Sequence, residues 1–377
     1  MRIAYIAASV IPSWTANSVQ VMKVCQALTQ NGHEVHLFVP GKTTTPWNEL
    51  RSHYGIHNEF PLHWLIFYPL LKKLDFVIAA LKKTKKLQLD LVYTRMLWAA
   101  VLASWKGLPV ILEIHDRPIG RMGPWLFKRF LKSQGIKRIV LITHALKIIL
   151  EQEYHLQIRP DEIIIAPDGV YLERYKKKVE ISSARTQLGL ENHFTAIYSG
   201  GFYEGRGLES LMELARRFPN VRFLWVGGKK DVVANWQEKL EDAGVPNIQL
   251  TGFVPNELLP LYQIAADILL MPYGKVIAGS SGGNIADVSS PMKMFEYMAA
   301  GRVIFTSNMP VLGEVLNETN AAFYISEDMQ SMQRAFESLM QDEGMRNRLA
   351  SQALIDVEQY SWRVRMQKII SSLDGLI

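Results

Sequence analysis

Near the end of this 377-residue chain, residues 289–301 read SSPMKMFEYMAAG. Ser289-Ser290 followed by Pro291 predicts a helix start. A Ser hydroxyl caps the first free N–H groups, and Pro fits the first helical position, where no N–H is needed. Gly301 then closes the helix. The first turn, Pro291-Met292-Lys293, presents unpaired amides at the positive end of a helix dipole, and that chemistry holds a phosphate. Glu296 lies one turn deeper on the face of Lys293. A carboxylate there can accept hydrogen bonds from two neighbouring hydroxyls, such as those of a ribose. The plainer alternative is an i,i+3 surface pair of Lys293 and Glu296, worth roughly 0.2–0.5 kcal/mol.

A second run, GGFYEGRG at residues 200–207, comes close to a P-loop. Arg206-Gly207 stands where the Lys-[Ser/Thr] pair belongs, so no hydroxyl is left for Mg²⁺ and nucleotide hydrolysis is disfavoured. The G-x-G-x-x-G dinucleotide fingerprint does not occur. Nor does a D-x-D pair, so no metal held by a local acidic motif is indicated. Positive charge for a departing diphosphate is then left to Arg206, the helix amides and Lys293. Two more polar clusters follow strand-like runs: Tyr93-Thr94-Arg95, and Glu113 to Arg117 with His115 and Asp116 among them.

The elements that must position these groups alternate between strands and helices. Residues 2–8 (RIAYIAA) read as a buried parallel strand, residues 19–30 as an amphipathic helix and residues 34–39 (EVHLFV) as the next strand, a βαβ unit. Further strand-like runs follow at residues 89–93, 110–114, 138–142 and 163–166. A turn at APDGV (residues 166–170) opens a polar, Lys-rich stretch to about residue 192, read as a linker, with the charge run Lys176-Lys177-Lys178 a solvated face. The alternation then resumes: strands at residues 195–199, 221–226, 248–251, 267–271, 303–306 and 322–325, with a Gly/Ser-rich loop over residues 274–290. Ligands of such folds bind at the carboxyl edges of the strands, which is where His115, Asp116, Arg206 and Lys293 fall. The expected organisation is one domain over residues 1–178, a second over 179–359, and a last helix within 360–377 returning to the first.

Length and composition agree. The chain is long enough for two domains, and 48% hydrophobic residues suffice for their cores. The single cysteine, Cys25, excludes an internal disulfide framework and fits a reducing compartment. Its apolar-periodic surroundings make it a buried structural thiol. No apolar run reaches transmembrane length, so a cytoplasmic protein is expected, and the first residues are read as a strand rather than a signal peptide. The net charge of +6 is uneven: residues 1–178 hold 25 Lys+Arg against 13 Asp+Glu, residues 179–377 hold 17 against 23. The basic first half favours an anionic partner. Within it, residues 61–87 combine Trp64, Phe67 and Tyr68 with Lys72, Lys73, Lys82, Lys83, Lys85 and Lys86, either as a docked helix with a solvated lysine face or as a peripheral membrane element. No nucleic-acid recognition module is found.

Taken together, GHEV (32–35), EIHD (113–116), APDGV, YSGGFYEGRGLESL (198–211), FLWVGG (223–228), TGFVPNELLPLYQIAADI (251–268) and SPMKMFEYMAAG resemble the retaining glycosyltransferases of family 4, nearest a subgroup with S-P-x-K-x-x-E-Y-M-A-A-G. The resemblance implies the α/β GT-B fold: two Rossmann-like domains with parallel sheets facing across a cleft. The first would bind the acceptor and the second a nucleotide-sugar. It implies that Glu296 holds the ribose, that Pro291, the Met292 and Lys293 amides and Arg206 hold the diphosphate beside Gly200 and Gly201, and that backbone at Gly252 and Phe253 meets the base. His115 would face the donor sugar with Asp116 beside it, while Asn17 and Ser18 offer amides to the phosphate. Arg95 and Arg117 would lie on the acceptor side. No cofactor and no metal is implied. Val288 stands where the family often has a Glu, and Gly201 where it often has an Arg. The acceptor is left open between a lipid-linked glycan at an anionic membrane, a sugar and a soluble sugar phosphate. A GT-B sugar-nucleotide epimerase and a non-catalytic binding protein are the competing readings.

Overall fold

The computed structural model describes residues 1–42, 44–71, 73–176, 179–277 and 283–377. Lys72 of the lysine-aromatic segment, Lys177 and Lys178 of the charge run, and residues 278–282 of the Gly/Ser-rich loop lie outside the described residues. The chain divides into two compact units, Met1–Pro167 with Trp362–Ile377, and Asp168–Ser361. Among the described residues no helix is long and apolar enough to cross a membrane.

The first unit is a parallel sheet of seven strands, β1 (Arg2–Ile6), β2 (Glu34–Pro40), β3 (Leu62–Leu65), β4 (Leu91–Thr94), β5 (Val110–Ile114), β6 (Lys137–Leu141) and β7 (Ile163–Ile165), in the order β3-β2-β1-β4-β5-β6-β7. Strands β1, β4 and β5 are almost entirely buried, as continuous apolar runs in a sheet covered on both faces must be. Tyr5 and Tyr93 stack across β1 and β4 with centroids 4.9 Å apart. Strand β3 lies inside the segment that the sequence suggested was partly helix. It is an edge strand, half-buried along its length, so its apolar pattern is too weak to announce it; the helix follows at Leu74–Lys86. Trp64, on β3, spends its indole N–H on the Ile11 carbonyl at 3.1 Å, and Lys73 its ammonium on the Ala8 carbonyl at 2.9 Å. Both are structural ties.

The first long helix is Ala16–Gln30, starting before the expected residue 19. Its cap is Thr15, whose Oγ1 accepts the Ser18 N–H at 3.3 Å. Cys25 on this helix is fully buried, and burial pushes its thiol up. The C-terminal helix Trp362–Ser371 packs on the same helix, and Asn31 Nδ2 donates to the Arg363 carbonyl at 2.9 Å.

The second unit is a parallel sheet of six strands, β8 (Thr195–Ser199), β9 (Arg222–Val226), β10 (Ile248–Gly252), β11 (Ile268–Met271), β12 (Val303–Ser307) and β13 (Ala322–Tyr324), ordered β10-β9-β8-β11-β12-β13. Its core gathers Phe223, Trp225, Phe305 and Phe336. The stretch read as a linker belongs to this unit's packing. Arg185, on the helix Ile181–Gln187, is 4% exposed, pairs with Asp267 at 2.6 Å and donates to the Ala265 carbonyl. A buried guanidinium needs such partners, and they fix the segment. The join accordingly falls at Pro167 and Asp168, ahead of the expected residue 178.

In each sheet the strand order reverses once, between β1 and β4 and between β8 and β11. Those reversals are the places where doubly wound sheets open a crevice at their carboxyl edge.

Candidate functional site

In the second unit, the loops after β8 and β11 meet at the reversal. A Cβ on Gly207 would lie 1.8 Å from the Pro272 carbonyl oxygen, and one on Gly205 2.0 Å from that of Val276. Both glycines also hold positive φ, +72° and +78°. The glycines that resembled a P-loop are therefore required by backbone packed on backbone. Arg206 projects from between them, its guanidinium carbon 4.9 Å from the Tyr273 ring centroid. Lys293 comes from the other side. Its Nζ lies 3.9 Å from the Tyr198 ring centroid and 5.6 Å from that of Tyr273. Arg206 and Lys293 thus converge on one tyrosine.

Lys293 Nζ is buried and has no hydrogen-bond partner. Burial first, and then the Arg206 charge, push its pKa well down; Glu296 pulls the other way. Gly200 leaves it room, since a Cβ there would sit 2.8 Å from Nζ. Glu296 instead accepts from Gln263 Nε2 at 3.3 Å, and Gln263 Oε1 accepts the Tyr175 hydroxyl at 2.6 Å. The surface-pair alternative for Lys293 and Glu296 is thereby set aside.

The helix entrance differs from expectation in one respect. Pro291 is the N-cap of the helix Met292–Ala299, and no side chain caps it. Ser290 Oγ accepts the Asp168 N–H at 3.0 Å, and Ser289 Oγ is buried without a partner. The serines are spent on, or buried in, the unit's own packing, so the first-turn amides keep their donors. Gly301 closes the helix at φ +65°. Gly201 accepts the Tyr198 hydroxyl at 2.8 Å. The Gly252 carbonyl accepts the Gly227 N–H at 3.0 Å, and Phe253 beside it is 53% exposed. Val288 is fully buried, so it serves the core.

In the first unit a polar cluster forms at the β1 and β4 reversal. Arg95 Nη1 donates to Asn17 Oδ1 at 2.6 Å and to Gln20 Oε1 at 3.1 Å. Gln20 Nε2 donates to Glu113 at 2.7 Å, and His115 Nε2 lies 2.5 Å from the same carboxylate oxygen. Tyr93 Oη donates to its other oxygen. Asn17, Arg95 and His115 are therefore brought together, with Gln20 as the joint. Ser18 is not available as an amide donor: its N–H goes to Thr15, and its hydroxyl donates to the Ser13 carbonyl at 2.6 Å. Asp116 accepts the Arg117 N–H at 2.7 Å, and Arg117 Nε donates to Glu153 at 2.9 Å.

Gln20, Glu113, Arg365, Gln263 and Tyr175 were missed as site residues. Glu113 gave a signal, as the one carboxylate within the apolar strand VILEI. Arg365 gave none, because its partner is 252 positions away.

Two units, each a parallel Rossmann-like sheet, make up the α/β GT-B architecture. Residues 18–174 match the family model described as Glycosyltransferase Family 4, and residues 180–355 match Glycosyl transferases group 1. The chain belongs to the family-4 glycosyltransferases. It is 22% identical over 302 residues to the alpha-monoglucosyldiacylglycerol synthase of Acholeplasma laidlawii, covering 72% of this chain and 74% of that one. It is 24% identical over 154 residues to the processive diacylglycerol alpha-glucosyltransferase of the same organism, covering 40% of this chain and 46% of that one. Among solved structures, Anabaena HepE in complex with UDP superposes with a TM-score of 0.75 at 16% identity over 100% of both chains.

Proposed function

We propose that the chain transfers a glycosyl group from a nucleoside-diphosphate sugar to an acceptor hydroxyl with retention of configuration. The observation that carries this reading is the convergence of Arg206 and the unpartnered Lys293 ammonium on Tyr273 at an uncapped helix entrance. A diphosphate satisfies all three at once. Met292 and Lys293 amides and Arg206 take the phosphate oxygens, Glu296 takes the ribose hydroxyls, Gly252 and Phe253 meet the base, and Gly200 and Gly201 let the diphosphate approach. We assign His115 to the sugar.

The acceptor oxygen attacks the anomeric carbon from the face that the diphosphate leaves. The bond from that carbon to the phosphate oxygen breaks, and the leaving phosphate takes the acceptor proton. No protein nucleophile and no divalent ion is required in this scheme, because Arg206 and Lys293 supply the positive charge.

A thermal-shift panel of UDP-, GDP- and ADP-sugars, followed by transfer assays with the stabilising donor, tests the reading. Glu296→Ala is expected to weaken nucleoside-diphosphate binding about tenfold, the order of a hydrogen bond to a charged group. Unchanged calorimetric affinity would count against the ribose assignment.

We further propose a membrane lipid or lipid-linked glycan as acceptor. The first relatives' names point that way, and so does the turn that exposes Tyr68 (65%), Leu70 (95%) and Leu71 (53%) in the basic half of the chain. Pelleting with anionic liposomes, reversed by salt and weakened by Leu70→Glu, is the expected result. Indifference to both would favour a soluble acceptor.

A further inference from the structure

Glu113 is fully buried, yet donors crowd its carboxylate. Besides Tyr93, Gln20 and His115, both terminal nitrogens of Arg365 reach it, Nη2 at 3.0 Å and Nη1 at 3.3 Å. Arg365 is 3% exposed and stands on the returning helix Trp362–Ser371. It is fixed in turn, donating Nε to the Pro167 carbonyl at 2.7 Å and Nη2 to that of Ala166 at 3.1 Å. Burial alone would push Glu113 up, but the Arg365 guanidinium, with His115 next, holds it well below the usual carboxylate range.

An ionised carboxylate can only accept hydrogen bonds. The Gln20 amide already donates to Glu113 Oε1, so it offers His115 Nε2 no acceptor. The short Nε2 contact at 2.5 Å therefore requires the proton to be on Nε2.

We propose that Arg365 and Glu113 are positioning residues: a guanidinium delivered by the last helix fixes the Glu113 carboxylate, which takes the Nε2–H of His115 and so sets both the plane of the ring and the nitrogen that carries its proton. What His115 then does rests on the transfer reaction proposed above; that it is held in this way does not.

The test pairs a spectrum with kinetics on the full chain. In ¹H–¹⁵N spectra, His115 (assigned by its loss in His115→Asn) gives a downfield, slowly exchanging Nε2–H resonance. Glu113→Gln with Arg365→Met removes both charges, so no unpaired ion is left buried. It is expected to melt near the native temperature, to lose that resonance to exchange, and to lower kcat at least tenfold with the donor KM unchanged. Arg365→Lys keeps the charge and is expected to keep the resonance, with kcat within about threefold of native, a difference of about 0.65 kcal/mol. If the double variant does not fold, Glu113→Asp carries the test: withdrawn by one methylene, the carboxylate loses the resonance and the tenfold in kcat. A native His115 resonance and native kcat in a folded double variant, or in Glu113→Asp, overturns the proposal. If the native protein transfers no sugar at all, the kinetic arm fails with the transfer reading, and the resonance alone still decides this one.

Discussion

Replacing Arg206 with alanine is expected to lower kcat/KM for sugar transfer by about 10² to 10³, or about 2.7–4 kcal/mol, the range seen when one preorganised donor to developing negative charge is removed. Among the described residues, Lys293 is the only other cation converging on Tyr273, and its buried ammonium already lies under the repulsive influence of Arg206. With Arg206 gone, the departing diphosphate keeps the helix amides and a single point charge. Stability should change little, because Arg206 is only partly buried and sits between glycines whose packing does not involve its side chain. Arg206→Lys retains charge but not the planar fork, and an intermediate loss is expected. Steady-state kinetics with native, lysine and alanine forms, each checked by its melting curve, make the measurement. Native kcat/KM in the alanine form would remove Arg206 from the mechanism.

Much of this site was legible in the chain because its determinants are local. A strand, a glycine-rich turn and a helix recur after β8 and again around residues 289–301, and each places its polar group at a carboxyl edge whatever the rest of the fold does. Arg206 and Lys293 could be found that way. What was misread depends on partners far along the chain. The Ser290 hydroxyl serves Asp168 rather than the helix beside it, and Arg185 ties a supposed linker to Asp267. Thr15 starts its helix early and removes Ser18 as a donor. Strand β3 escaped because an edge strand is only half-buried. Glu113 and Arg365 show the limit most plainly: neither neighbourhood in sequence hints that the two charges cancel each other.

Replacing Lys293 with methionine is expected to weaken nucleoside-diphosphate binding by roughly 10- to 100-fold, as loss of a charge-assisted hydrogen bond of about 1.5–3 kcal/mol implies, while leaving the free protein no less stable. The two effects share one cause. In the free chain the ammonium is buried against Tyr198 without a partner, so its charged form is disfavoured and its pKa falls well below the ordinary lysine value. The sign with pH follows. Below the lowered folded value, both folded and unfolded chains hold the proton, and the folded state carries the whole cost of burying it. Between that value and the ordinary lysine value, about 10.4, only the unfolded chain holds it, so stability contributed by this group rises with pH across the window. Diphosphate binding runs the opposite way. The anion restores the charged form, so binding takes up protons and the affinity falls as pH rises past the free chain's value. Urea unfolding over a pH series reads the first slope. Titration calorimetry with the preferred nucleoside diphosphate, in two buffers of different ionisation enthalpy, reads the second. Lys293→Met should abolish the lysine contribution to both. Equal proton uptake by native and variant chains, or native diphosphate affinity in the variant, would show that the buried ammonium is a feature of packing with no part in holding the donor.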